Sequence, residues 1–452
     1  MVKLFGTDGI RGVANADLTP ELAFQVGRAA ASLLLRGRTG AVLVGRDTRL
    51  SGSMLEASLV AAICSVGGDV GRLGVLPTPG VAYLTRKWGA PFGVVISASH
   101  NPVEDNGIKF FDQDGFKLPD RLEEEIETLV ASPQDLPRAT GTAIGRAWDL
   151  PQGEEEYLSY LLAHARGRVE GWRIVVDCAF GASYRIAPRL WEALGAKVIA
   201  LHDEPDGARI NVACGSTHPE VLQRAVREYG AHLGFSHDGD ADRVIAVDER
   251  GEIVDGDSIL GICALHFHAA GRLPGRRVVA TVMSNLGLER ALARAGIILE
   301  RTRVGDRYVL EKMLELNVPL GGEQSGHIIF LEHATTGDGL LTAIQLVNVM
   351  LETGKRLSEL ASPIERFPQV LRSVRVMSRS EVAGDGEIQE AVRSFASALA
   401  GQGRILVRPS GTEPVVRVMV ECGRKEEAEA IASELVALIQ RKYGVEGAEG
   451  GR

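Results

Sequence analysis

Long apolar runs are missing from this 452-residue chain. The longest, such as Leu340 to Leu351, are short and broken by Gln345 and Asn348, which predicts that no segment crosses a membrane. The start, Met1-Val2-Lys3-Leu4-Phe5-Gly6-Thr7-Asp8, has no apolar signal core. Cysteine is scarce: Cys64, Cys178, Cys214, Cys263 and Cys422 are scattered, odd in number and never in a C-x-x-C pair. That argues against a disulfide framework or a catalytic thiol and predicts a reducing compartment, the cytoplasm. No Lys/Arg-rich block stands out against a net charge of -9, so neither nucleic acid nor an anionic membrane is expected as a partner. An anionic substrate needs a locally basic pocket instead. P-loop, H-E-x-x-H and G-x-S-x-G signatures are absent.

Material for several cores is present, with 45% hydrophobic residues and a length that predicts about three to four domains. Short apolar strands alternate with helix-length segments: strands at 41–44, 92–96, 173–176, 277–282 and 298–304, helices near 53–66, 184–194 and 286–295. Repeated βαβ units imply parallel or mixed sheets covered by helices, with ligands beyond the carboxyl ends of the strands. Ala131 to Gly153, rich in Pro, Gly and Thr, and Ser362 to Pro368 read as linkers, and the turn from Asp248 to Asp257 as a further division. The expected domains are 1–150, 151–252, 253–367 and 368–452. The first three are possible divergent copies of one α/β unit. The last reads strand, helix, strand, strand, helix, ending in Lys425 to Lys442.

Between the strand-like runs Leu233-Gly234-Phe235 and Val244-Ile245-Ala246-Val247 stand Asp238, Asp240 and Asp242, closed by Arg243. Three acids so close repel unless a cation sits among them. In an extended segment alternate side chains share a side, which would converge the three carboxylates on one point. Hard oxygen ligands select Mg²⁺, Mn²⁺ or Ca²⁺. A helix–loop–helix calcium loop shares the spacing, and Glu249 falls at its twelfth position. It fails at the sixth, where Arg243 replaces the turning glycine, and in its β-branched flanks.

Four other loops carry chemistry. Ser97-Ala98-Ser99-His100-Asn101-Pro102 follows the strand at 92–96 and displays serines beside a histidine, either a nucleophile needing a base or metal, or an ordinary serine-rich turn. Lys109, in a strand-like alternation, could transfer protons if burial lowers its pKa, or could simply be solvated. In Gly321-Gly322-Glu323-Gln324-Ser325-Gly326-His327 the glycines would admit a ligand close to the backbone, Glu323 and Ser325 could grip adjacent hydroxyls, and His327 could shuttle a proton. A glycine-rich hairpin is the plainer reading. Arg408-Pro409-Ser410-Gly411-Thr412-Glu413-Pro414, with Arg417 on the next strand, combines guanidinium, hydroxyls and a glycine nest in a phosphate cradle. Near the start, Arg11 in Phe5-Gly6-Thr7-Asp8-Gly9-Ile10-Arg11-Gly12 could reach an anion, or the turn could only tie down the chain.

These five motifs, in this order along the whole chain, resemble the α-D-phosphohexomutase family. Ile96-Ser97-Ala98-Ser99 and Gln324 favour its glucosamine branch over the mannose and glucose branches. The resemblance implies an α/β fold of four domains around a central cleft, three related domains with mixed sheets and a smaller α+β C-terminal one. It selects Ser99 over Ser97 as the phosphoryl carrier. It implies Mg²⁺ held by Asp238, Asp240, Asp242 and a Ser99 phosphate oxygen, with Arg243 on the same phosphate. Ser99, His100, Lys109, His327 and Arg11 become the catalytic set, with Lys109 or His327 as general acid and base. Glu323 and Ser325 would bind sugar hydroxyls; Arg408, Ser410, Gly411, Thr412 and Arg417 would bind the phosphate that is not reacting. The implied reaction interconverts glucosamine 6-phosphate and glucosamine 1-phosphate through a 1,6-bisphosphate, with glucosamine or glucose 1,6-bisphosphate as activator, feeding UDP-N-acetylglucosamine and cell-wall synthesis. A hexose mutase of the same family and a catalytically silent sugar-phosphate binder are the competing readings. A homodimer is compatible with each.

Overall fold

A computed structural model describes residues 3–132, 136–409 and 415–445. Three mixed sheets share one construction, a parallel run with antiparallel strands added at one side. The first has the order Phe5–Gly6, Gly9–Val13, Asp105–Asp112, Phe92–Ile96, Val42–Arg46, Val70–Val75, Ala147–Asp149, the last four parallel. The second runs Ile253–Val254, Val244–Asp248, Leu233–His237, Arg173–Asp177, Lys197–Leu201, the last three parallel. The third runs Ile298–Thr302, Arg277–Thr281, Leu320–Gly322, Ile328–Phe330, only the last antiparallel. Strands buried on both faces read as continuous apolar runs; Phe92–Ile96 is buried at every residue.

The smaller fourth sheet is antiparallel, Gln369–Arg375, Val415–Cys422, Gly403–Pro409, and packs helix Lys425–Tyr443 on a core that includes Val418, Val420, Ala432 and Leu435. Its single expected helix is two, Arg379–Gly384 and Gly386–Ala398.

Residue contacts gather the chain into two compact bodies, one of residues 1–283 and 295–363, the other of 284–294 and 364–452. The helix Leu286–Arg294, expected to cover the third sheet, thus belongs to the second body. There Asn285 brackets Phe367, its Nδ2 donating to the Phe367 carbonyl and its Oδ1 accepting the Phe367 N–H, both at 3.0 Å. The supposed linker from Ala131 to Gly153 also needs correction, because Ala147–Asp149 is a strand paired with Val70–Val75. Likewise Ile253–Val254, just past the expected division at 252, pairs with Val244–Asp248.

Among the described residues no helix is long and apolar enough to cross a membrane. The apolar run near Leu340 lies in helix Gly339–Thr353, which is buried through Met350. Asn348 satisfies the backbone of the loop after a neighbouring helix, accepting from Arg166 N–H (2.8 Å) and donating to His164 O (2.9 Å).

Candidate active site

Ser97 to Pro102 leaves the first sheet at the carboxyl end of Phe92–Ile96. Ser99 is fully buried and holds a left-handed backbone, φ 53°, which L-residues adopt at a cost of about 1–2 kcal/mol. Its surroundings impose that shape. Its N–H donates to Ser97 Oγ (2.9 Å), and Ser97 in turn donates to Asp47 Oδ2 (2.6 Å). Its carbonyl accepts from Arg49 and from Asn211 Nδ2, both at 2.9 Å. Arg49, buried beside Asp47 at 3.0 Å, also donates to the carbonyls of Asn101 (2.8 Å), Asp105 (2.9 Å) and Pro102. One guanidinium therefore holds the whole loop. Sequence reasoning passed over Asp47 and Arg49, although both directly follow the strand Val42–Arg46.

The acidic triplet meets this serine from the second sheet. Ser99 Oγ donates to Asp238 Oδ2 at 2.5 Å, and His100 Nδ1 lies 3.4 Å from the same Oγ. The three aspartates do converge, each offering an oxygen within 4.8 Å of the others. They do so by a different route from the extended one expected. Asp238–Arg243 is a turn, closed by the Ala241 N–H on Asp238 O (3.0 Å), with Ala241 left-handed at φ 56°. Gly239 is required by proximity, since a Cβ there would sit 2.6 Å from Ser99 O.

Burial and the neighbouring charges of Asp242 and Asp240 push the Asp238 carboxyl up to about 8. Asp242 is held far below the carboxylate range, because Lys109 and His327 overcome its burial. Asp240 Oδ1 and Asp242 Oδ1 are buried without a hydrogen-bond partner. Two orphaned carboxylate oxygens in an all-oxygen cluster fit a hard divalent cation. A second group of potential ligands, Asp177, His202 and Cys214, is different. There the Asp177 oxygens already engage the Ala179 and Gly215 N–H groups and His202 Nδ1 at 2.8–3.0 Å.

Lys109 is the cation among these acids, with Nζ 2.9 Å from Asp240, 3.2 Å from Asp8 and 3.6 Å from Asp242. Burial alone would lower its pKa as expected, but Asp240, Asp8 and Asp242 outweigh it and hold the ammonium above its ordinary value. This set of neighbours favours its charged form. Asp8 also pairs with Arg11 and Lys117, and Lys117 reaches Asp306. Asp306 lies 3.5 Å from His327 Nε2, and His327 Nδ1 lies 3.6 Å from Asp242. Asp8, Lys117, Asp306, His327, Asp242 and Lys109 thus close a ring. Asp242 favours an imidazolium, yet the Gly337 N–H donates to His327 Nε2 at 3.0 Å and needs that lone pair. The hydrogen bond selects the neutral ring with its proton on Nδ1. His100 is also neutral, its pKa pushed down to about 3 by burial and by the charges of Arg243 and Arg11.

The remaining expected residues divide. Arg243 Nε stands 3.7 Å from Asp242 and 4.0 Å from Asp238, and Arg11 donates to Asn101 Oδ1 (3.1 Å), so both border the serine loop. Glu323 Oε1 accepts from Gly305 N–H (3.2 Å), with Ser325 Oγ 3.5 Å from Oε2. Gly321 and Gly322 do not open a path to a ligand: a Cβ on either would meet Met313 or Ile328 side chains at 2.5 Å. Gly326 (φ 93°) has the functional contact, lying where a Cβ would collide with the Val244 carbonyl and so docking this loop on the end of the acidic turn. In the second body Arg408 faces Arg417 across paired strands, and Arg408 Nε is buried without a partner. Ser410, Gly411 and Thr412 lie outside the described residues.

Four domain profiles of the phosphoglucomutase/phosphomannomutase family match the chain: the alpha/beta/alpha domain I at 2–136, domain II at 155–251, domain III at 255–367 and the C-terminal domain at 346–438. A phosphoglucosamine mutase of Desulforamulus reducens is 56% identical over 97% of this chain and 99% of that protein. One from Moorella thermoacetica is 57% identical over 96% and 98%. Among solved structures, a phosphoglucomutase/phosphomannomutase family protein from Burkholderia thailandensis superposes with a TM-score of 0.81 at 25% identity, covering 97% of both chains. The N-acetylphosphoglucosamine mutase of Aspergillus fumigatus, solved with GlcNAc-6P and magnesium, shares the fold at 20% identity, covering 98% of this chain and 96% of its own, with a TM-score of 0.72. The chain belongs to the α-D-phosphohexomutase family, among its phosphoglucosamine mutases.

Proposed function

We propose that this enzyme interconverts glucosamine 6-phosphate and glucosamine 1-phosphate, with Ser99 as the phosphoryl carrier, and supplies amino sugar for cell-wall precursors. The observation that carries the reading is the 2.5 Å approach of Ser99 Oγ to Asp238, which brings a strained serine of one sheet onto the acidic turn of another. Mg²⁺ would be held by Asp238, Asp240, Asp242 and an oxygen of phosphorylated Ser99; when bound, it neutralises charge on the transferring group. Arg243 and Lys109 add fixed positive charge at the same place.

PhosphoSer99 gives its phosphoryl group to the free hydroxyl of glucosamine 6-phosphate: the P–O bond to Oγ breaks as a P–O bond to the sugar forms, and the proton the sugar hydroxyl gives up replaces the one delivered to Oγ, so the transfer is proton-neutral overall. Lys109, held as an ammonium, suits the role of donor toward the departing Oγ rather than that of base. His327, neutral and buried behind Asp242, positions that carboxylate. The resulting 1,6-bisphosphate turns end for end and returns its other phosphoryl group to Ser99. Glu323 and Ser325 present acceptor and donor to sugar hydroxyls, while Arg408 and Arg417 are assigned to the phosphate that is not reacting. Glucosamine or glucose 1,6-bisphosphate would prime the free serine. Five free cysteines support a cytoplasmic site of action.

Intact-mass measurement before and after incubation with glucose 1,6-bisphosphate tests the reading. One added phosphoryl group, mapped to Ser99 and lost in Ser99→Ala together with turnover on glucosamine 6-phosphate, is expected. A label elsewhere, or faster turnover of glucose or mannose 6-phosphate, would reject it.

A further inference from the structure

The helix Gly339–Thr353 touches the acidic turn at its start, where the Gly339 N–H donates to Ala241 O (3.0 Å). Fifteen residues, or ~22 Å, further on, its other end lines a separate cavity of about 490 Å³. That volume suits a small organic ligand. The facing wall comes from the leading ends of the parallel strands Arg173–Asp177 and Leu233–His237, the edge opposite the one from which Asp238 emerges.

Part of this wall is aromatic. Trp172 and His232 stack with ring centroids 5.7 Å apart and planes within 6°. The Arg173 backbone N–H donates to His232 Nδ1 (3.1 Å), so the neutral ring keeps its proton on Nε2. The rim is basic. Arg173 is pinned by Nε and an Nη to Gly230 O at 3.0 and 2.7 Å, and Lys355 and Arg356 stand across from it on the stretch after the helix. Glu249, the acid in the lining, turns its carboxylate to Ser358 and Arg250. In a chain of net charge -9 the cavity is therefore locally positive.

We propose that this cavity binds a nucleoside phosphate, its base against the Trp172–His232 pair and its phosphates on Arg173, Lys355 and Arg356. Both halves of the ligand are needed. A sugar phosphate would leave the aromatic wall unused, and an apolar molecule would leave the basic rim unused. Every base offers a π-face, so the wall accepts purine and pyrimidine alike.

Calorimetric titration of the full chain with ATP and with UTP, under saturating glucosamine 6-phosphate to occupy the catalytic phosphate sites, tests this. Saturable one-to-one binding is expected, with adenosine and tripolyphosphate each at least roughly tenfold weaker than ATP. Trp172→Ala should weaken ATP binding about tenfold and Trp172→Phe much less. The Lys355→Ala/Arg356→Ala double variant should weaken it by roughly tenfold as well. None of these variants should change mutase turnover. Binding of neither nucleotide, displacement of both by glucosamine 6-phosphate, tripolyphosphate as tight as ATP, or indifference to Trp172→Ala would overturn the proposal.

Discussion

Arg49 acts on Ser99 through backbone carbonyls alone, a role that depends on the shape of the guanidinium. Its planar fork reaches four carbonyl oxygens while resting on Asp47; a lysine ammonium has three donors on one point and cannot span them. Arg49→Lys should lower kcat by roughly 100-fold with a much smaller change in KM, because the serine loses its orientation and the sugar keeps its contacts. Steady-state kinetics on glucosamine 6-phosphate check this, and a stability loss of up to ~3 kcal/mol in a urea melt should accompany it. Arg408→Ala should behave in the opposite way, raising KM with little change in kcat, as the phosphate-binding role proposed for it requires.

The serine, the triplet and the arginine pair could be picked out in the sequence because each is a local cluster of chemistry at a strand end. Asp47 and Arg49 could not, since their partners lie some fifty residues away. The charged neighbours of Lys109 are hidden from the sequence for the same reason. Burial can be read from an alternating strand, but the carboxylates that outweigh it come from the first turn of the chain and from another sheet.

Elements were more legible than their joins. Strands such as Phe92–Ile96 and helices such as Lys425–Tyr443 follow from apolar period and length. The acidic turn reads as a possible extended segment because alternation of residue type imitates alternation of side. Its left-handed Ala241 leaves no trace in composition. Helix Gly339–Thr353 shows the converse, since Asn348, which interrupts its apolar run, satisfies backbone groups of the loop packed against it. Asn348→Leu would leave the Arg166 N–H and the His164 carbonyl without their partner, at a cost of about 2–4 kcal/mol. The urea midpoint should fall accordingly while kcat of the folded fraction stays unchanged. Gly326→Ala should disturb both properties, because its methyl group would run into Val244 O and its φ of 93° disfavours a side chain. A melting temperature lowered by several degrees and a raised KM are the expected signs.

At the scale of the whole molecule, three sheets deliver one side chain each to a common point: Lys109 from the first, Asp242 from the turn of the second, His327 from the third. Such an arrangement gains stability from whatever cation completes it. Titrating Mg²⁺ into chelator-treated protein should raise the melting temperature with increasing concentration, by the equivalent of about 2.7 kcal/mol at a hundredfold excess over Kd. Scanning calorimetry follows the rise, and Asp238→Asn/Asp240→Asn should abolish it.

The ring through Asp8, Lys117, Asp306, His327, Asp242 and Lys109 sets a further condition. With His327 neutral, its three carboxylates outnumber its two ammonium groups by one, so a serine phosphate arriving alone would deepen an existing excess of negative charge. A serine phosphate brings close to two negative charges and a divalent ion brings two positive ones. Arriving together they leave the sum nearly untouched, which makes each the reason the other can stay.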